Sequence, residues 1–228
     1  MITLLLPGMD GTGALFEPLL RELPDSLGAR VVGYPNDQPL GYDALEKIIT
    51  PRVPVEGPWA MVAESFSGPL AVRLATKFPE RLRGLVLASS FVECPVRWAS
   101  RLGFLAGPAA ALRRGGPSFL LRFFIAGSDA PAAFVAAARS AILPIGPTVW
   151  AARLRATLAA DERSAFRALQ APVLILACGR DRLIGARAVK RLHALRPDAR
   201  LVTLDAPHMV LQRRPAEAAA EIGRFLTP

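Results

Sequence analysis

Six short apolar runs, each ended by a turn signal, leave this chain few folds to choose from. They occupy residues 1–6, 29–34, 59–63, 85–88, 172–177 and 199–204. Stretches with helical apolar spacing lie between or after them. Leu15, Leu19, Leu20 and Leu23 mark one, and residues 42–50 a second, with Leu45, Ile48 and Ile49 on one side. Residues 68–78 repeat at Leu70, Leu74 and Phe78, and 186–195 at Val189, Leu192 and Leu195; Pro215 suits the first turn of a last helix ending near Leu226. Strands this apolar are expected to be buried on both faces, which calls for a parallel sheet covered by helices. Right-handed crossovers then restrict the topology.

The alternation fails between about residues 95 and 167, where short helical patches at 119–125, 131–142 and 149–158 stand without a strand. This reads as an insertion into the sheet. It holds eight of the 16 aromatic residues and ten arginines against Asp129, Asp161 and Glu162, so it carries +7 of the chain's +9 charge. The charge could speak for an acidic partner or an anionic surface. With 25 Arg to 3 Lys, scattered and rich in Ala, Gly and Pro company, it also fits a GC-rich coding bias. No nucleic-acid-binding motif accompanies it. The 228 residues are 52% hydrophobic and 21% charged, which excludes a disordered chain. The longest uncharged stretch, 140–152, contains two prolines and falls short of the roughly 20 apolar residues a membrane span needs. Cys94 and Cys178 are too few for a disulfide framework, no Cys/His cluster has zinc spacing, and the N-terminus lacks a signal-peptide pattern. The expectation is a cytoplasmic protein with reduced thiols and no metal.

Chemistry concentrates where apolar runs end. Residues 61–70, Met-Val-Ala-Glu-Ser-Phe-Ser-Gly-Pro-Leu, pass from strand to helix through Ser65, with small residues two before (Ala63) and two after (Ser67). A serine on such a turn projects its hydroxyl above the sheet. It needs a base. Only two histidines exist: His193 sits mid-helix, whereas His208 follows the last strand on a loop made by Pro207. Asp181, directly after the fifth strand, is the candidate to orient it. The alternative for Asp181 is a helix cap or a salt bridge with Arg180 or Arg182, and Asp205 is a rival acid. Pro7-Gly-Met-Asp-Gly-Thr-Gly, after the first strand, could present the amide of Met9, together with that of Phe66, to an oxyanion. It could also cradle a phosphate, though it lacks the glycine spacing of the known phosphate loops.

With four elements in this order, each after its own strand, the chain resembles the α/β-hydrolase superfamily over residues 1–94 and 168–228. The resemblance implies Ser65 as nucleophile, His208 as base, Asp181 as orienting acid and the Met9 and Phe66 amides as oxyanion donors. It implies a helical cap at 95–167 and about six strands in the order 4-3-5-6-7-8 of the family's count, the first two being absent. The chain departs from the family in Ala63 and Ser67, where glycines are usual, and in Pro7-Gly8, where His-Gly is frequent. The loop looks like that of a branch containing small esterases and plastid acyltransferases. The activity implied is hydrolysis of small or medium acyl or aryl esters, thioesters or carrier-linked esters, without a cofactor. Acyl transfer to an alcohol, other serine-dependent hydrolysis and a non-catalytic binding role remain open. Trp98, Phe123, Phe124 and Trp150 are candidate apolar substrate contacts, although the phenylalanines could simply pack the cap onto the core. The basic insertion leaves room for an acyl carrier protein or an acyl-CoA as partner.

Overall fold

The computed structural model describes residues 1–95 and 121–227. Its strands are β1 (Ile2–Leu6), β2 (Ala29–Val31), β3 (Trp59–Glu64), β4 (Leu82–Ala88), β5 (Val173–Cys178) and β6 (Arg200–Leu204). All pair in parallel in the order β2-β1-β3-β4-β5-β6, which is the order expected. The helices are α1 (Glu17–Glu22), α2 (Tyr42–Ile49), α3 (Gly68–Lys77), α4 (Ala132–Ile142), α5 (Pro147–Ala159), α6 (Arg163–Ala168), α7 (Ala186–Leu195), α8 (Val210–Arg213) and α9 (Pro215–Leu226).

Strand side chains alternate between two cores, as a two-residue period requires. On one face Leu4, Leu6, Met61, Ala63, Leu85, Leu87 and Ile175 meet Leu45 and Ile49 of α2, Leu70 and Leu74 of α3, and Leu192 of α7. On the other, Leu5, Val62, Val86, Leu174 and Leu176 meet Leu19 of α1 and Ala218, Ile222 and Leu226 of α9. Every residue of β3 and β5 is buried. The edges differ from expectation: Arg30 and Val31 of β2 and Arg200, Leu201 and Thr203 of β6 are exposed. An edge strand has a neighbour on one side only, and helices cover it incompletely.

Two features matter for the site. The chain runs from β1 outward to β2, then returns to β3 on the other side of β1. The carboxyl ends of β1 and β3 therefore flank a crevice at a topological switch point, where open α/β sheets bind ligands. The segment between β4 and β5 is pinned at its base. Glu162 N–H donates to the Val92 carbonyl (2.7 Å) and Cys94 N–H to that of Ala160 (2.9 Å), beside an antiparallel bridge between Glu93 and Asp161. Beyond this clasp, α6 lays Phe166, fully buried, into the core beside α3. No single helix among the described residues is long and apolar enough to cross a membrane.

Candidate active site

Ser65 opens the short 3-10 turn Ser65–Ser67 that joins β3 to α3, and its φ of 47° lies in the left-handed region. A non-glycine residue adopts this only at a cost of about 1–2 kcal/mol. The turn is held by its surroundings. Ser90 Oγ donates to the Ser65 carbonyl (2.6 Å), and Tyr42 OH to that of Phe66 (2.8 Å) while stacking on its ring. Gly68 has to be glycine, because a Cβ there would lie 2.2 Å from the Phe91 carbonyl oxygen and from Ser90 Oγ. Ser67, where the family usually has glycine, is used: its hydroxyl donates to the Pro7 carbonyl and hydrogen-bonds Tyr34 OH. The carbonyl can only accept, so Tyr34 donates to Ser67 and Ser67 to Pro7. Buried hydroxyls thus tie the serine turn to the loop after β1.

The three residues singled out by strand position meet. His208 Nε2 lies 2.8 Å from Ser65 Oγ and His208 Nδ1 lies 2.8 Å from Asp181 Oδ2. The Asp181 side chain is 1% exposed and that of His208 7%. An ionised carboxylate only accepts, so Nδ1 carries the proton and Nε2 accepts from the serine hydroxyl. The other Asp181 oxygen accepts from the amides of Leu183 and Ile184, both at 2.8 Å. Burial pushes the Asp181 carboxyl up, but the His208 hydrogen bond and charge and these two amides outweigh it and hold the group below its ordinary value. The alternatives resolve with this geometry. Arg180 pairs with Asp205 and Asp129 rather than Asp181. Asp205 is exposed and engaged by Arg180 and Arg214. His193 is half-buried on α7 against the Ala199 carbonyl.

A profile of the Alpha/beta hydrolase family matches residues 3–222. The chain belongs to that family. A pimeloyl-[acyl-carrier protein] methyl ester esterase of Nitrosomonas europaea is 30% identical over 177 residues, covering 73% of this chain and 68% of the relative. Among solved structures, an esterase from Thermogutta terrifontis superposes with a TM-score of 0.79 at 20% identity, covering 99% of this chain and 89% of that one. MenH from S. aureus gives 0.81 at 14% identity, covering 99% and 93%. At these identities the two structures speak for the fold.

Within this hydrolase fold the loop after β1 forms a tight turn, in which Gly11 N–H donates to the Gly8 carbonyl (3.1 Å). Asp10 is buried and its Oδ2 accepts from the amide and hydroxyl of Thr12 (2.9 and 2.6 Å). Phe66 lies in the first turn of its 3-10 segment, so its N–H has no acceptor within that turn. Sequence reasoning missed two charged residues here. Glu64, directly before Ser65, is buried and accepts from Gln212 Nε2 (2.9 Å). Burial and the neighbouring Asp10 charge push its carboxyl up to about 7, against the smaller pull of Gln212, His208 and Gly8. Arg153 of α5 is 1% exposed and reaches the same loop. The signal was its spacing: Val149, Arg153 and Thr157 share one helical face, and all three are buried.

The aromatic candidates separate. Phe123 and Phe124 pack edge to face and are 50% and 40% exposed, so they do not pack into the core. Arg182, next to Asp181, lies 3.8 Å from the Phe123 ring centroid, and the following Ile125 carbonyl accepts from Met209 N–H (3.4 Å), beside His208. Trp150 is half-buried in the first turn of α5. Trp98 lies outside the described residues. Cys94 and Cys178 are both buried. Cys178 hydrogen-bonds Ser89 Oγ (2.7 Å), and burial pushes its thiol up to about 12, which leaves it inert as a nucleophile.

Proposed function

We propose that this chain hydrolyses carboxylic esters through an acyl-enzyme on Ser65. The observation that carries the reading is the continuous hydrogen-bonded series from Ser65 Oγ through His208 to Asp181, with both links at 2.8 Å and each residue at the carboxyl end of a different strand. In this reading His208 Nε2 takes the serine proton as Oγ attacks the ester carbonyl. Asp181 keeps the proton on Nδ1 and stabilises the imidazolium that forms. The Met9 and Phe66 amides receive the oxyanion; losing one such donor costs about 2.7–4 kcal/mol of transition-state stabilisation. The imidazolium returns its proton to the departing alcohol or thiol. A water, deprotonated by His208, then releases the acid and restores Ser65. Besides that water, the reaction uses only side chains and backbone amides of the chain.

In this reading the segment between β4 and β5 acts as a cap over this site, and Phe123, Phe124 and Trp150 supply apolar contacts to the acyl or aryl part. The substrate class is small or medium acyl or aryl esters. Thioesters and carrier-linked esters are included, because a relative 30% identical to this chain acts on a methyl ester carried by acyl carrier protein. The test is hydrolysis of p-nitrophenyl esters from C2 to C12 by the wild type and Ser65→Ala. The expected result is activity that falls at least about 10³-fold in the variant, with a chain-length optimum that sizes the pocket. A folded wild type inactive on every length, or a variant as active as the wild type, overturns the reading. Ester formation when an alcohol is supplied would instead mark an acyltransferase.

A further inference from the structure

Arg153 is a buried cation to which no carboxylate among the described residues is hydrogen-bonded, although the Asp10 charge lies near enough to favour it. Its Nη1 donates to the carbonyls of Met9 (2.9 Å) and Asp10 (3.0 Å), and its Nη2 to the carbonyl of Pro35 (2.8 Å) and to Asn36 Oδ1 (2.9 Å). The guanidinium also lies 5.9 Å from the Tyr34 ring centroid. Burying a charge on neutral acceptors is expensive, and an apolar side chain would fill the same space at lower cost. What the guanidinium supplies is orientation, and peptide planarity transmits it. The Asp10 carbonyl held by Arg153 shares one rigid plane with the Gly11 N–H. That N–H donates to the Gly8 carbonyl (3.1 Å). The Gly8 carbonyl in turn shares a plane with the Met9 N–H. On its other side, Met9 has its own carbonyl held by the same Nη1. Both peptide planes flanking Met9 are therefore fixed, one directly and one through Gly11. Gly11, at φ 70°, leaves the guanidinium its place: a Cβ there would lie 2.6 Å from Nη1.

We propose that Arg153 is a positioning residue that sets the direction of the Met9 amide, so that α5, although it lies in the segment between β4 and β5, is part of the oxyanion-binding machinery. The inference rests on the ester-hydrolase reading. It predicts that Arg153→Lys and Arg153→Met lower kcat about 10- to 100-fold, part of what loss of a whole oxyanion donor causes, while KM stays within about threefold. A trifluoromethyl ketone adds to the serine as a tetrahedral oxyanion. Its inhibition constant should rise by the same factor as kcat/KM falls.

Hydrogen exchange over residues 7–13, followed by mass spectrometry, provides a readout independent of catalysis. Protection of this segment should drop in both variants while that of β3 and β5 is retained. Folded variants with kcat within twofold of wild type, unchanged ketone affinity or unchanged loop protection overturn the proposal. So does failure of both variants to fold, which would make Arg153 a structural residue only. If Ser65→Ala retains full activity while the loop protection responds to Arg153, the ester-hydrolase reading fails and the positional role of Arg153 stands.

Discussion

Glu64→Gln should make the protein more stable at neutral pH, and the gain should disappear in acid. The Glu64 carboxyl sits near 7 in the folded protein against an ordinary 4.5, because it is buried beside Asp10. Below pH 4.5 it is protonated in both folded and unfolded chains. Between 4.5 and 7 the unfolded chain loses the proton and the folded one keeps it, so the folded state binds more protons and stability falls as pH rises. Above 7 the folded protein carries the full cost of an ionised buried carboxylate. At about 1.4 kcal/mol per pH unit that cost is about 3 kcal/mol. The amide variant avoids it. Its Nε2 can donate to Gln212, whose Oε1 has no hydrogen-bond partner among the described residues. Urea unfolding of both proteins from pH 4.5 to 8.5 provides the measurement. The difference in unfolding free energy should open by about 3 kcal/mol across that interval. Parallel curves would refute the reasoning and mean that the wild type solvates or pairs the carboxylate at no cost.

Asp181→Asn should keep the loop, since its side-chain oxygen can still accept from Leu183 and Ile184, but should present the wrong tautomer to His208 and lower kcat about 10⁴-fold. Asp205→Asn, at the rival acid, should leave kcat within about twofold in the same ester assay; equal losses in the two variants would contradict the assignment. Gly68→Ala forces a methyl group onto the Phe91 carbonyl and Ser90 Oγ, and denaturant unfolding should show a loss on the order of 3 kcal/mol. A loss below about 1 kcal/mol would mean that the Ser90–Phe91 segment yields freely.

The parts of the fold that sequence revealed are those whose cause is local. Central strands announce themselves as apolar runs because both faces are buried, and Ser65, Asp181 and His208 could be placed because each directly follows such a run. The start of β4 was hidden: Arg83 is exposed and Gly84 adds no side chain, so the apolar run begins at Leu85. Leu82 nevertheless pairs with Trp59 across an irregularity in β3. The helices α6 and α8 are short and owe their existence to packing, Phe166 into one core and Val210 and Leu211 into the other. The supporting residues were harder still. Ser67 meets Pro7 across 60 positions and Arg153 meets Met9 across 144, and nothing in either local stretch names its partner.

These long-range contacts converge on one place for a physical reason. The core on either face of the sheet is apolar and could be assembled in many ways of similar energy. The rim above β1, β3 and β5 instead gathers features that ordinary folding would avoid: a buried guanidinium, a carboxyl pushed up to about 7, and left-handed backbone at Ser65 and at Ser89. Ser89, at the end of β4, hydrogen-bonds Cys178 at the end of β5, and the Cys178 thiol faces the His208 carbonyl at 3.9 Å. Ser90 holds the Ser65 carbonyl from the same corner. The strained β4 corner therefore contacts both the serine turn and the histidine loop and fixes the distance between them. Departures from local preference persist where the surroundings over-determine them. Here each is braced by hydrogen bonds from a different strand end, and together they hold Ser65 Oγ, the His208 ring and the Met9 loop in one arrangement before any substrate arrives.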